Sequence, residues 1–211
     1  MFRGQERLRL GVPTMISKRR ADVATHCLKV DTSQTAVWVL RLDSICSDMS
    51  LTPSGFRKAM GCFATGVTVI TVDQAGEVHG MTANAFTSVS LDPMLVLVCV
   101  DYRARTHSHL QARKRFGVNV LRSDQQAISE YYAHSSDVHQ HAEEAGALFD
   151  RTAQGTPVLR GALAYLECRL RKAEKAGDHT IFIAEVEEVV VREGEPLLYF
   201  RGQYRDIEPN R

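Results

Sequence analysis

Seven consecutive apolar residues, Met94-Leu95-Val96-Leu97-Val98-Cys99-Val100, run without a polar residue at any second position. A strand facing water on one side alternates apolar and polar residues, so this run predicts a strand covered on both faces. It is far shorter than the roughly 20 residues a membrane-crossing helix needs. Such a strand requires partners, and the chain supplies them at short spacing. Val67 to Val72 is β-branched throughout, Asp73-Gln74-Ala75-Gly76 reads as a hairpin turn, and Glu77 to Asn84 reads as the returning strand. Phe116 to Leu121 is another strand. Two long ones, 162–173 and 179–191, are joined by Lys175-Ala176-Gly177-Asp178. Leu197 to Phe200 makes a last short strand, with Arg201 to Arg205 as a polar tail.

Helices are few and short. Thr52 suits an N-cap and Pro53 the first helical position; Phe56, Met60 and Phe63 then form one apolar face, with Gly66 as the stop. Thr106 is a cap for 107–113, and Asp124 for 125–134. Residues 135–157 read as polar and irregular, with Phe149 as their anchor. The pattern is mainly β: a closed or nearly closed antiparallel barrel with short decorating α-helices. No G-x-G-x-x-G follows a strand and no Walker lysine pattern is present.

The chain has 211 residues, 44% apolar and 24% charged, which suits one large soluble domain or one domain with an appendage. A net charge of +1 gives no electrostatic footprint for nucleic acid or an anionic membrane. No continuous apolar leader is read near the N-terminus. Cys27, Cys46, Cys62, Cys99 and Cys168 are odd in number and make no C-x-x-C, which predicts reduced thiols and a cytoplasmic protein. Residues 1–48 differ from the rest. Their eight basic and five acidic side chains give +3, whereas the other 18 basic and 20 acidic give −2. Apart from Ala36 to Leu40 they show no sustained period, and they read as a poorly ordered extension ahead of a domain at 49–211. Met49 as the natural start is the other reading.

The functional signal lies in Gly80-Met81-Thr82-Ala83-Asn84-Ala85-Phe86-Thr87-Ser88-Val89-Ser90-Leu91-Asp92-Pro93. It crowds short side chains, hydroxyls and an amide with hardly a charge. A flat ligand can lie against such a backbone, held by peptide N–H groups and the hydroxyls of Thr82, Thr87, Ser88 and Ser90. A buried strand with satisfied hydroxyls explains the same residues. Arg103, Arg105 and Thr106, at the start of a predicted helix, suit a phosphate, because the helix dipole, its first amides and guanidinium forks all favour an anion. A solvated basic turn is the alternative. Gly177-Asp178-His179 places an imidazole at a hairpin tip beside a strong strand. His134, His139 and His141 lie in a loop-like stretch, and His107 and His109 diverge on a helix, so no metal site is expected. Ser88 lacks the G-x-S-x-G setting of a hydrolase nucleophile.

Taken in order, Thr65 to Thr71, Gly80 to Pro93, Phe116 to Leu121, Gly177-Asp178-His179 and Pro196 to Tyr204 resemble the flavin reductase-like family. The likeness runs from about Ser54 to Arg205, and is strongest to the small reductase components of two-component monooxygenases. It implies an FMN-binding split barrel, Greek-key-like, that forms a homodimer. It further implies NADH or NADPH as hydride donor, FMN or FAD as acceptor, and transfer of reduced flavin to an oxygenase. By that resemblance Thr82, Ala83, Asn84, Ser88, Val89 and Ser90 line the isoalloxazine and ribityl chain. Arg105 and Thr106 hold the phosphate, with Phe116 flanking it. Asp178, His179 and Tyr204 lie near the nicotinamide, with His179 in the catalytic role of orienting the donor. Two features depart from the pattern: Arg103-Ala104-Arg105, where relatives often carry a serine, and Met94, where a second proline is frequent. Two other readings of the same barrel remain at this point. One is a non-catalytic flavin- or haem-binding module, which has no need of Gly177-Asp178-His179. The other is an enzyme of the pyridoxamine-phosphate oxidase type.

Overall fold

The computed structural model describes residues 51–134, 142–143 and 145–207. The expected extension, 1–48, lies outside them, as do His139 and His141. Thr52 sets the first element: its hydroxyl accepts the Gly55 amide at 3.1 Å, and Pro53 opens α1 (Pro53–Met60). The expected stop at Gly66 is not used. The helix closes at Gly61 in ordinary αR geometry, and Gly66 belongs to β1 (Thr65–Gly66).

β2 (Thr68–Gln74) and β3 (Glu77–Ala83) form the predicted hairpin. Ala75 and Gly76 both take positive φ, 55° and 93°, as a two-residue hairpin turn matched to strand twist requires. The chain continues through β4 (Phe86–Leu91), β5 (Met94–Asp101), α2 (Arg105–Arg113) and β6 (Arg115–Val120). A 3₁₀ turn over Ser123–Gln125 leads into α3 (Gln126–Ala133). The long strands are β9 (Ala164–Ala176) and β10 (His179–Val191), so Lys175 and Ala176 extend the strand and only Gly177-Asp178 turns.

Two stretches expected to be irregular are ordered. Phe149–Arg151 (β7) and Pro157–Leu159 (β8) pair as a small hairpin. The supposed tail folds back: Arg201 and Gly202 turn at φ 50° and 78°, and β12 (Gln203–Arg205) pairs with β11 (Leu198–Phe200), which pairs with β1. Its polar composition hid it because only Tyr204 turns inward.

Seven strands form one antiparallel sheet in the order β3-β2-β6-β9-β10-β5-β4. Its two edge strands are consecutive in the chain, joined by Asn84 and Ala85 alone. The sheet must therefore curl until its edges meet, giving a barrel split between β3 and β4. Inside it pack Ile70, Val98, Phe116, Val118, Phe182 and their neighbours. A second core, with Val69, Leu121, Ile128 and Tyr132, sits on the outer face of β2 and β6.

The strands covered on both faces are β2, where Thr68 to Val72 are all buried, and β6, where Phe116 to Asn119 are. In β5 the inward Val96, Val98 and Val100 are buried, but Leu95, Leu97 and Cys99 are only half-buried. β5 lies next to the edge strand, and the second core does not reach it. Gly117 is demanded by packing: a Cβ there would sit 2.5 Å from Thr71 Oγ1 and 2.8 Å from the Pro157 carbonyl. Among the described residues no helix is long and apolar enough to cross a membrane.

Candidate functional site

α2 begins where β5 ends, and this junction opens a cleft of about 610 Å³. Its walls include His79, Gly80 and Thr82 of β3, Asp101 and Arg103, Arg105 and Thr106 of α2, and Tyr132 of α3. Gly80 brings α3 close. A Cβ there would meet the Tyr132 ring at 2.5 Å, so only glycine admits this wall.

Thr106 is not the cap: the N-cap lies two residues earlier, at Ala104. α2 starts at Arg105, and no side chain caps the first turn. Thr106 is instead buried, 4% exposed. An N-terminus without a side-chain acceptor leaves its amides for a ligand, with two arginines and a hydroxyl beside them. That donor set fits a phosphate. Arg103 is already engaged. It grips Asp101 with Nε at 3.1 Å and Nη2 at 2.7 Å, and this pairing holds the Asp101 carboxyl well below the usual range. Arg105 is the first residue of α2 and lines the same cleft.

A smaller hollow of about 180 Å³ adjoins, lined by Val67, Thr82, Asn84, Ser129, Ala133, Tyr199 and Tyr204. Here the Thr82 hydroxyl donates to the Ser129 carbonyl at 2.7 Å, and Ser129 Oγ lies 2.8 Å from Tyr204 Oη. Thr82 thus ties α3 to β3 as well as facing both hollows. Ala83 turns its side chain into the core, so only its backbone faces outward.

Ser88, Val89 and Ser90 lie on edge strand β4. Ser88 faces Val96 and Ser90 faces Leu95, so Val89 is a bulge with no cross-strand partner. Edge position and bulge together leave backbone groups outside the ladder, beside the exposed side chains of Thr87, Ser88 and Val89. This is what a planar, hydrogen-bonding ligand needs. The cis bond between Asp92 and Pro93 turns the chain into β5.

His179 sits at the foot of β10, opposite Asp101 on β5. Its Nδ1 lies 2.7 Å from Asp178 Oδ1, and the Tyr102 amide donates to the Asp178 carbonyl at 3.1 Å. The turn is therefore fixed from both sides. His179 lies at the Asp101 end of β5. Ser88 faces Val96, five residues away, roughly 17 Å along a strand. Within one chain the structure does not bring His179 to Ser88–Ser90, nor to Tyr204. Phe116 is inside the barrel, 1% exposed, and lines none of the hollows described. Its side chain flanks no phosphate here, because β6 is a central strand and its Phe points into the core.

His79, Asp101, Tyr132 and Ala133 line the cleft without being singled out in the sequence, and His134 is weighed there only as a metal ligand. His79 immediately precedes the stretch that was singled out, and only its pairing opposite Val72 shows that it belongs there. Tyr132 carried no signal beyond helical periodicity. Among the described residues no group of His, Cys, Asp or Glu is placed to hold a metal ion.

A split antiparallel barrel with a phosphate-suited cleft and a polar, bulged edge strand defines a flavin-handling class of protein. The model of the flavin reductase like domain matches residues 60–208, and the chain belongs to that family. It is 39% identical over 164 residues to an NADH-dependent flavin reductase of Rhodococcus sp, covering 76% of this chain and 90% of the relative. It is 40% identical over 153 residues to the reductase component of 4-hydroxyphenylacetate 3-monooxygenase of Thermus thermophilus, covering 72% and 95%. Among solved structures it resembles flavin reductase PheA2 with a TM-score of 0.69 and 42% identity, over 75% of this chain and all of that one.

Proposed function

We propose that this protein is an NAD(P)H-dependent flavin reductase whose cleft between β3, α2 and α3 takes the flavin phosphate, with β4 taking the ring. The observation that carries this is the uncapped start of α2 beside Arg105 and the buried Thr106, opening onto the same cleft as Thr82. The family membership and the relatives' reductase activity support it. The flavin and nicotinamide supply the redox chemistry; the chain binds and orients them. In this reading the backbone around Ser88 to Ser90 donates to the ring, Asn84 lines the ribityl path, and Arg105 with the first amides of α2 holds the phosphate. His179, kept rigid by Asp178, orients the nicotinamide. Reduced flavin then leaves for an oxygenase, which the shallow, open β4 surface favours.

The working unit in this reading is a homodimer in the cytoplasm. Phe56, Met60 and Phe63 are 59%, 54% and 71% exposed, and Val89, Leu91, Met94, Val189 and Val191 add further apolar surface. A partner copy covers such faces; a stable pairing buries on the order of 2,000 Å². Residues 49–211 are the working domain, with 1–48 dispensable to it.

The test supplies FMN or FAD with NADH or NADPH and follows loss of the reduced nicotinamide's near-ultraviolet absorbance. Turnover with either flavin supports the reading, and its absence with all four combinations refutes it. Light scattering on the full chain and on a protein starting at Met49 tests the rest. Dimers active in both cases are expected; a monomer, or an insoluble shortened protein, goes against it.

A further inference from the structure

His79 on β3 and His109 on α2 bring their rings within 4.4 Å, centroid to centroid, at an interplanar angle of 38°. His79 also lines the cleft that holds Arg105 and Thr106. His109 lies one turn along α2 from Arg105. Both imidazoles are half-buried.

Two imidazoles this close resist being protonated together. Burial is the first cause that holds His109 below the ordinary histidine range, and His79, Arg105 and Arg113 each add to it. Among the described residues, several elements bring charge near the pair, including Arg151 of β7, which pairs with Asp73 at 2.5 Å. α2 contributes Arg105 and Arg113. β2 contributes Asp73, which lies 3.8 Å from Arg113. The end of β5 contributes Asp101, already gripped by Arg103. α3 contributes Tyr132 and His134 on the far wall. Those causes act against protonation of His109, so near neutral pH that ring is short of a proton. A phosphate entering the cleft brings negative charge beside His79, which favours the protonated form.

We propose, resting on the flavin reading above, that the His79–His109 pair is the proton-responsive part of the phosphate site. An anion held by Arg105 and Thr106 draws a proton from solvent onto the pair, and the charged His79 completes its coordination. The ligand class is a phosphorylated flavin, and riboflavin, which has no phosphate, leaves the pair neutral. Release of the flavin then returns the proton, so affinity for phosphorylated flavin weakens as pH rises above neutrality.

Isothermal titration calorimetry tests this at neutral pH, in buffers of different ionisation enthalpy, with FMN and with riboflavin, on the wild-type protein and His79→Gln. Comparing the two proteins removes the proton that the FMN phosphate itself exchanges. The wild type is expected to take up more protons on binding FMN than the variant, by roughly 0.3 to 0.8 of a proton. The variant should bind FMN about threefold to tenfold more weakly and riboflavin within about twofold of the wild type. Equal proton uptake in both proteins overturns the inference while leaving the flavin reading intact. An equal loss of riboflavin affinity also overturns it, because the role is then structural. If neither flavin binds the wild type, the flavin reading falls and this falls with it. Imidazole proton–carbon NMR of the wild type, which needs no variant, should show the two histidines moving toward their protonated shifts on adding FMN but not riboflavin. No movement with FMN counts against the proposal.

Discussion

His179 faces Asp101 across the β10–β5 ladder, and Asp101 spends its carboxylate on Arg103. The imidazole is therefore left to Asp178, 2.7 Å away, and is held at the cleft's rim rather than inside it. Its loss should touch the nicotinamide and spare the flavin. His179→Ala is expected to lower kcat/KM for NADH by about tenfold to a hundredfold, equivalent to roughly 1–3 kcal/mol of transition-state binding. Steady-state kinetics with varied NADH, set beside flavin fluorescence quenching, checks it. Lost flavin binding with intact nicotinamide kinetics moves His179 into the flavin pocket.

Arg105 is the arginine beside the uncapped start of α2, while Arg103 is committed to Asp101. Arg105→Ala should weaken FMN by about tenfold to a hundredfold, the scale of one charge-assisted contact, with riboflavin affinity within about twofold. Arg103→Ala should have the smaller effect on FMN. The reverse order in a quenching titration would reassign the phosphate contact.

The fold and the site were legible to different depths. β2, β3, β9 and β10 were readable because β-branched runs and Gly turns specify them locally. β12 was not, since a strand with one inward residue has no period to detect. Met94 to Val100 looked doubly covered, but whether a second layer sits over a strand is decided by strand order, and order is a long-range property. The family resemblance puts Phe116 beside the phosphate, but β6 turns its side chain into the barrel core. Arg103-Ala104-Arg105-Thr106 is one corner of the cleft that its sequence already marked out. The cleft's other walls, His79 and Tyr132, come from elements whose meeting no local pattern records.

Gly80→Ala tests that meeting. Its Cβ would press on the Tyr132 ring, which is 3% exposed and has nowhere to withdraw. A loss of about 1–3 kcal/mol in stability is expected, read from the midpoint of urea unfolding. An unchanged midpoint would mean that α3 shifts freely, and that the cleft wall is soft.

Tyr132 and Tyr165 are two of the six tyrosines, and burial pushes both phenols well above their ordinary value. The folded state therefore holds more protons than the unfolded state above about pH 10. The stability this gives is complete below that pH and is lost as pH rises toward the folded values. An alkaline titration should leave Tyr132 and Tyr165 un-ionised while the protein stays native. Those two should ionise only as far-ultraviolet circular dichroism collapses. Six ionising together before any loss of structure would refute the burial of both rings.

Between β3 and β4 the sheet has covalent continuity through Asn84 and Ala85 but no ladder of its own. Parting such a seam breaks no hydrogen bond between β3 and β4, so this edge can open without loosening β2, β6 or β9. Amide exchange should record the difference as two populations, fast along β4 and slow through the central strands. If the flavin sits on β4, the part of the barrel that exchanges ligand is thermodynamically insulated from the part that keeps the protein folded.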